Sequence, residues 1–168
     1  MLHVARSSVH AYLADRELRL PEMESLELDG IHGVFVSIHR GSDLRGCVGT
    51  LGPEESLYRS VAGCAVAAAS RDPRFTPVQL VELPDLQFEI SVLFQLQDVT
   101  NIEFIEIGVH GLIVSKENSR GLLLPQVAVQ HHWNREQFLS ETCRKAGLPP
   151  GAWRQGAHIQ SFIAEVFS

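Results

Sequence analysis

Two side chains, Arg45 and Cys47, carry the sharpest chemical signal in this sequence, within the stretch Leu44-Arg45-Gly46-Cys47-Val48-Gly49-Thr50-Leu51. Read as a strand, the stretch alternates faces, so Arg45, Cys47 and Gly49 share one side while Leu44, Gly46 and Val48 share the other. A guanidinium beside a thiol favours the thiolate, the form that attacks electrophiles or binds metals. Glycine inside a strand packs nothing and often marks close approach of a ligand or another backbone. Gly46 and Gly49, with Thr50 beside them, are therefore the expected wall of a shallow ligand site. In this reading Cys47 is the nucleophile, and Arg45 lowers its pKa or binds an anionic group. The competing reading is a core strand holding a small buried cysteine, because cysteine is among the most buried residue types.

Further groups join the site as candidates. In the strand-like run 86–93, Phe88, Ile90 and Val92 share one face and leave Glu89 on the other with Ser91. A carboxylate mid-strand is either solvated or paired. If this strand neighbours the Cys47 hairpin, Glu89 meets Arg45. His110, near Gly108 and Gly111 at a strand entrance, is the leading histidine, and His110 or Glu89 would move protons. Asp72-Pro73-Arg74-Phe75 is either a turn that caps amides and plugs the core, or a loop presenting Asp72 and Arg74 to a ligand. His39, at the hairpin turn, is a minor candidate. Cys64 reads as packing. His131 and His132 are adjacent, point apart, and make a poor metal pair.

The elements that position these groups follow from periodicity. Leu2, Ala5, Val9, Tyr12 and Leu13 recur at helical spacing and predict a helix over 3–18, stopped by Pro21, with an acidic loop over 22–30. Strands at 33–40 and 44–51 form a hairpin around the three-residue turn Gly41-Ser42-Asp43. Pro53, Glu54 and Glu55 open the next helix, whose buried stripe is Leu57, Val61, Cys64, Ala65 and Ala68. After strand 86–93, residues 102–107 are ambiguous between a short helix and an extended segment. Strands at 112–115 and 121–125 precede a short helical piece reaching Trp133. Asn134 and Gln137 form a capping box for a helix reaching Ala146 and closed by Gly147. A strand over 159–167 ends the chain. Hairpins mixed with helices, without repeating strand-helix units, predict an α+β fold: a mainly antiparallel sheet with packed helices in one domain over 1–168.

Composition narrows the function classes. Apolar residues at 45% and charged residues at 20% are an ordinary globular balance. The longest nearly uncharged run, 60–70, is far short of the ~20 residues of a spanning helix. The first residues lack a secretory pattern, so a cytoplasmic location is expected. The three cysteines, Cys47, Cys64 and Cys143, have no close spacing. That argues against a disulfide framework and against a cysteine-rich zinc site, so no metal or cofactor is expected. A net charge of -6 makes duplex nucleic acid a poor partner.

The pieces together resemble the AMMECR domain family, whose bacterial and archaeal members include the protein A component of the AmmeMemoRadiSam set. The resemblance is carried by GVFVSI at 33–38, LRGCVGTL at 44–51, DPRF at 72–75, EISVL at 89–93, HGLIVS at 110–115, GLLLPQVA at 121–128 and TCRKAGLP within 133–148. It implies a sheet with helices against it and a smaller sub-lobe. It implies a shared site at Leu44, Arg45, Gly46, Cys47, Gly49 and Thr50, and company with Memo-like and radical-SAM proteins. It implies no particular reaction. The chain departs from the family pattern at Val48, where isoleucine is common, and at Gln130 and Asn134, where acids are usual. Amides at those two places suit capping better than proton chemistry.

Two functions therefore stand side by side. One is an enzyme, or a component of one, in which Cys47, Arg45, Glu89 and His110 act on a nucleobase or other small anionic metabolite. The other is a non-catalytic adaptor in which the Cys47 strand is a rigid floor for a partner protein. The absence of a triad, metal cluster or phosphate loop from the sequence favours the adaptor.

Overall fold

The apolar spacing of the first residues becomes helix α1 (Leu2–Leu13), which buries Val4, Ala5 and Val9. The computed structural model describes residues 1–17, 31–52 and 56–168. Pro21, the loop 22–30 and the helix start at Pro53, Glu54 and Glu55 lie outside those residues. Among the described residues six strands, β1 (Ile31–Arg40), β2 (Asp43–Leu51), β3 (Leu86–Asp98), β4 (His110–Lys116), β5 (Ser119–Leu123) and β6 (His158–Phe167), are hydrogen-bonded in the order β2-β1-β3-β6-β4-β5. The β1-β2, β4-β5 and β4-β6 pairs are antiparallel. With its helices this is the expected α+β fold. Two compact units divide the chain, Met1–Val92 with Glu165–Ser168 and Leu93–Ala164.

In the first unit, α2 (Leu57–Ser70) packs against α1 and across β1 and β2. Val34, Val36 and Ile38 of β1 are fully buried. The expected stripe of Leu57, Val61, Cys64, Ala65 and Ala68 is buried as well, and its small side chains allow a close approach. Gly46 makes that approach tightest: a Cβ there would stand 2.1 Å from the Ala68 carbonyl oxygen. The helix is capped by Ser56, whose hydroxyl accepts the Arg59 amide. The β1-β2 turn is shorter than its sequence suggests. Arg40 pairs with Asp43, which leaves Gly41 at φ 61° and Ser42 as the turn, and a bulge between Ile38 and His39 absorbs the extra residue. That extra residue is Arg45.

In the second unit, α3 (Pro125–Gln130) and α4 (Arg135–Lys145) accompany β4, β5 and β6. Leu112, Val114 and Ile159 pack with Phe138, Leu139 and Cys143 in its core. The capping box at Asn134 and Gln137 forms in both directions at 2.9 Å, and Gly147 closes the helix at φ 74°. The ambiguous 102–107 segment resolves into a 3-10 turn at Ile102–Phe104 followed by irregular chain. Among the described residues no helix is long and apolar enough to cross a membrane.

Candidate functional site at Cys47

Cys47 lies on β2 at the sheet's edge and is partly exposed. Its partner across the hairpin is Ser37, whose hydroxyl donates to the Cys47 sulfur at 3.3 Å. Side chains approach this closely at a non-hydrogen-bonded antiparallel pair, where the strand's own amide and carbonyl point outward. An edge strand normally leaves those groups to solvent or to another chain. Here they are taken by an ion pair. The Cys47 amide donates to Asp72 Oδ2 at 2.9 Å, and Arg74 Nη2 donates to the Cys47 carbonyl at 3.3 Å. The Asp72–Arg74 pair thus stands in for a neighbouring strand at one residue.

That pair is built tightly. Arg74 Nε donates to Asp72 Oδ1 at 2.9 Å and Nη2 to Oδ2 at 2.6 Å, while the Arg74 amide donates to Oδ1 at 3.1 Å. Asp72 is 3% exposed in its side chain and Arg74 47%. The Arg74 guanidinium holds the Asp72 carboxyl well below the usual carboxylate range, more than burial raises it. Asp72 in turn raises the Arg74 pKa, with a smaller contribution from Cys47. Of the two readings of 72–75, the turn's amide cap is present, and the same two side chains also clasp Cys47.

Arg45 is engaged elsewhere. Strand alternation sets it beside Cys47, and adjacency of strand 86–93 would bring it to Glu89; its guanidinium instead forks onto Glu82, with Nε to Oε1 and Nη2 to Oε2 both at 3.1 Å. It also donates to the carbonyls of Thr76 at 2.6 Å and Pro77 at 3.3 Å. The physical reason is the strand order: β1 separates β2 from β3, so Glu89 is one strand too far, while the bulge sends Arg45 toward the 76–82 segment. Arg45 holds Glu82 below the ordinary carboxylate range, helped by the Gln79 amide. The cation bonded to Cys47 is Arg74, at the backbone carbonyl.

The glycines expected to wall the site face protein instead. Gly46 admits the backbone of α2, and a Cβ on Gly49 would come within 2.2 Å of the Phe35 ring. Thr50 pairs with Val34 across the hairpin and is exposed, while the Cys64 thiol donates to the Val34 carbonyl at 3.8 Å. Cys64 is buried, as packing requires, and burial pushes its pKa up to about 11. His110 belongs to the second unit, where its Nδ1 accepts the Glu106 amide at 3.0 Å and closes a turn. Among the described residues no three His, Cys, Asp or Glu side chains gather as a metal site.

Ser37 and Glu82 escaped the sequence reading. Ser37 was within reach, because a three-residue loop at 41–43 already sets residue 37 opposite residue 47, and the bulge restores that register. Glu82 carried no signal, since its position depends on how the 72–85 segment folds back.

Comparison with known proteins places this chain in a family. A family model described as AMMECR1 matches residues 2–167. Protein Mbar_A1807 of Methanosarcina barkeri is 38% identical over 173 residues, which span 98% of this chain and 86% of that protein. Protein PF1979 of Pyrococcus furiosus is 39% identical, over 99% of this chain and 85% of its own length. The crystal structure of the uncharacterized protein PH0010 from Pyrococcus horikoshii aligns with a TM-score of 0.90 at 38% identity, covering 98% of this chain and 87% of that one. By family match, sequence identity and fold, the chain belongs to the AMMECR1 family.

Proposed function

We propose that the protein is a thiol-bearing enzyme component acting on a small anionic metabolite or nucleobase, with Cys47 as nucleophile. The observation that carries this reading is a partly exposed sulfur that accepts from the Ser37 hydroxyl, on a residue whose backbone carbonyl is held by the Arg74 guanidinium. A donor of this kind suits a negatively charged sulfur, and the solvent-facing part of Arg74 suits an anionic group beside it. Asp72 positions Arg74, and Arg45 positions the 76–82 segment through Glu82. In the step itself the thiol proton leaves to solvent and a carbon–sulfur bond forms. The displaced electron pair moves onto the substrate's heteroatom. Glu89 and His110 take no part in this chemistry. Cooperation with Memo-like and radical-SAM proteins is what the family resemblance implies, cytoplasmic residence is what the first residues and the cysteine spacing suggest, and both belong to the same proposal.

The adaptor reading also has an observation in its favour: both arginines near Cys47 spend charge on internal carboxylates, Glu82 and Asp72. Alkylation separates the two. Cys47 is expected to outpace a model thiol near pH 7 with iodoacetamide, and to show a further preference for the anionic reagent iodoacetate. Arg74→Gln should abolish that preference. Peptide mass spectrometry reads the rate at each cysteine. A Cys47 no faster than a model thiol, or an iodoacetate preference that survives Arg74→Gln, removes the nucleophile and leaves the adaptor.

A further inference from the structure

The strand β5 ends the sheet and has β4 alone as its neighbour. The two pair over the whole of β5 without a bulge, from Lys116↔Ser119 to Leu112↔Leu123. Two residues join them, Glu117 at φ 54° and Asn118. A two-residue loop makes its closing pair, here Lys116 and Ser119, a hydrogen-bonded one, and bonded pairs then alternate along the ladder. Val114 with Gly121 and Leu112 with Leu123 are the next bonded pairs. The amides and carbonyls of Arg120 and Leu122 therefore point away from the sheet. Among the described residues no hydrogen bond takes them. The end of α4 does not cover them either, because it seats against the face of β5, where a Cβ on Gly121 would lie 2.3 Å from the Ala146 amide nitrogen.

Proteins blunt sheet edges with bulges, prolines, covering groups or charge. The opposite edge uses a covering group, since Asp72 and Arg74 take the outward amide and carbonyl of Cys47. In β5 there is no bulge and no proline, and charge is what remains. Arg120 is exposed, Lys116 stands opposite Ser119, and Lys145 lies where α4 meets Gly121. Among the described residues none of the three joins an ion pair, and Lys116 donates its Nζ to the neutral Gln155 carbonyl at 2.9 Å. Against them stand Glu117 in the turn and the negative end of the α4 dipole, worth about half a charge. Arg144 and Glu141 cancel each other. Asp98, bonded to His158, is on β3, three strands from β5. That is about 14 Å, beyond the screening length of about 8 Å. The edge is net positive after its ion pairs are counted.

We propose that the β5 edge takes an extended, acidic segment of a partner protein as a further antiparallel strand, with a carboxylate opposite Arg120 and an apolar side chain opposite Leu122. Amides and carbonyls presented in alternation at an edge are matched by another extended backbone. The unpaired cations select an acidic one. A second copy of this chain would set one cationic edge against another, which the same charges oppose. The surface lies within the Leu93–Ala164 unit and does not depend on Cys47.

The test uses the full chain and a fluorescein-labelled peptide of repeated Glu-Thr-Val-Thr, read by fluorescence anisotropy. In the proposed register the glutamate and valine amides face β5 and the threonine amides face away. The peptide should bind saturably, and a lysine-for-glutamate counterpart should bind at least about tenfold more weakly. Arg120→Glu should weaken the parent peptide by a similar factor, with circular dichroism confirming an intact fold. N-methylation of the glutamate and valine amides should abolish binding, whereas N-methylation of the threonine amides should leave it in place. No saturable binding, equal binding of the glutamate and lysine peptides, or indifference to Arg120→Glu overturns the proposal. Binding that survives methylation of the facing amides reduces it to charge attraction and overturns it too. Self-association in analytical ultracentrifugation that the peptide reverses would give the edge to a second copy instead.

Discussion

Replacing Asp72 by asparagine tests the Cys47 clasp at its most buried point. The carboxylate accepts from the Cys47 amide and from the Arg74 amide, Nε and Nη2. Asparagine keeps one oxygen for one pair of these donors and turns an NH₂ group toward the other pair. Breaking a buried ion pair from one side costs about 3–5 kcal/mol, but Arg74 is 47% exposed and can turn to water. The expected loss is therefore about 2–3 kcal/mol, a fall of about 1 M in the urea midpoint with an unchanged slope. Acid supplies an independent check. Because Arg74 holds the folded carboxyl below its unfolded pKa, the stabilisation is complete above about pH 4 and wanes as pH falls toward the folded value. Urea unfolding of both proteins should give a constant gap between about pH 8 and pH 5, shrinking below about pH 4. A gap under about 1 kcal/mol at pH 7, or one that persists undiminished into acid, would refute the clasp.

Two more expectations rest on the same unit. Gly46→Ala forces a Cβ to within 2.1 Å of the Ala68 carbonyl oxygen, a backbone atom, so α2 must shift. A loss of about 2 kcal/mol or more is expected by thermal melting, and a neutral outcome would show that the helix has slack. Arg45 and Glu82, each 17% exposed, should couple by about 1–2 kcal/mol in a double-mutant cycle of Arg45→Met and Glu82→Gln. In the same cycle the iodoacetate preference at Cys47 should stay unchanged. Additive losses, or a changed preference, would return Arg45 to the thiol.

What the chain determines locally was legible without coordinates. The apolar stripe of α2, the Asn134–Gln137 capping box and the Gly147 stop all follow from helical periodicity and from side chains bonding amides a few residues away. Membership of the AMMECR1 family was legible for a related reason, because its motifs lie in continuous stretches. What tertiary structure alone decided is which groups meet. A bulge turned Arg45 from Cys47 toward Glu82, the order of strands put β1 between Arg45 and Glu89, and Arg74 arrived at the Cys47 carbonyl from 27 residues away. The two glycines face α2 and Phe35 rather than a ligand because the close approach came from the chain itself. Such pairings depend on strand order and on the path of irregular segments, which depend on packing across the whole unit, and no local period in the sequence encodes them.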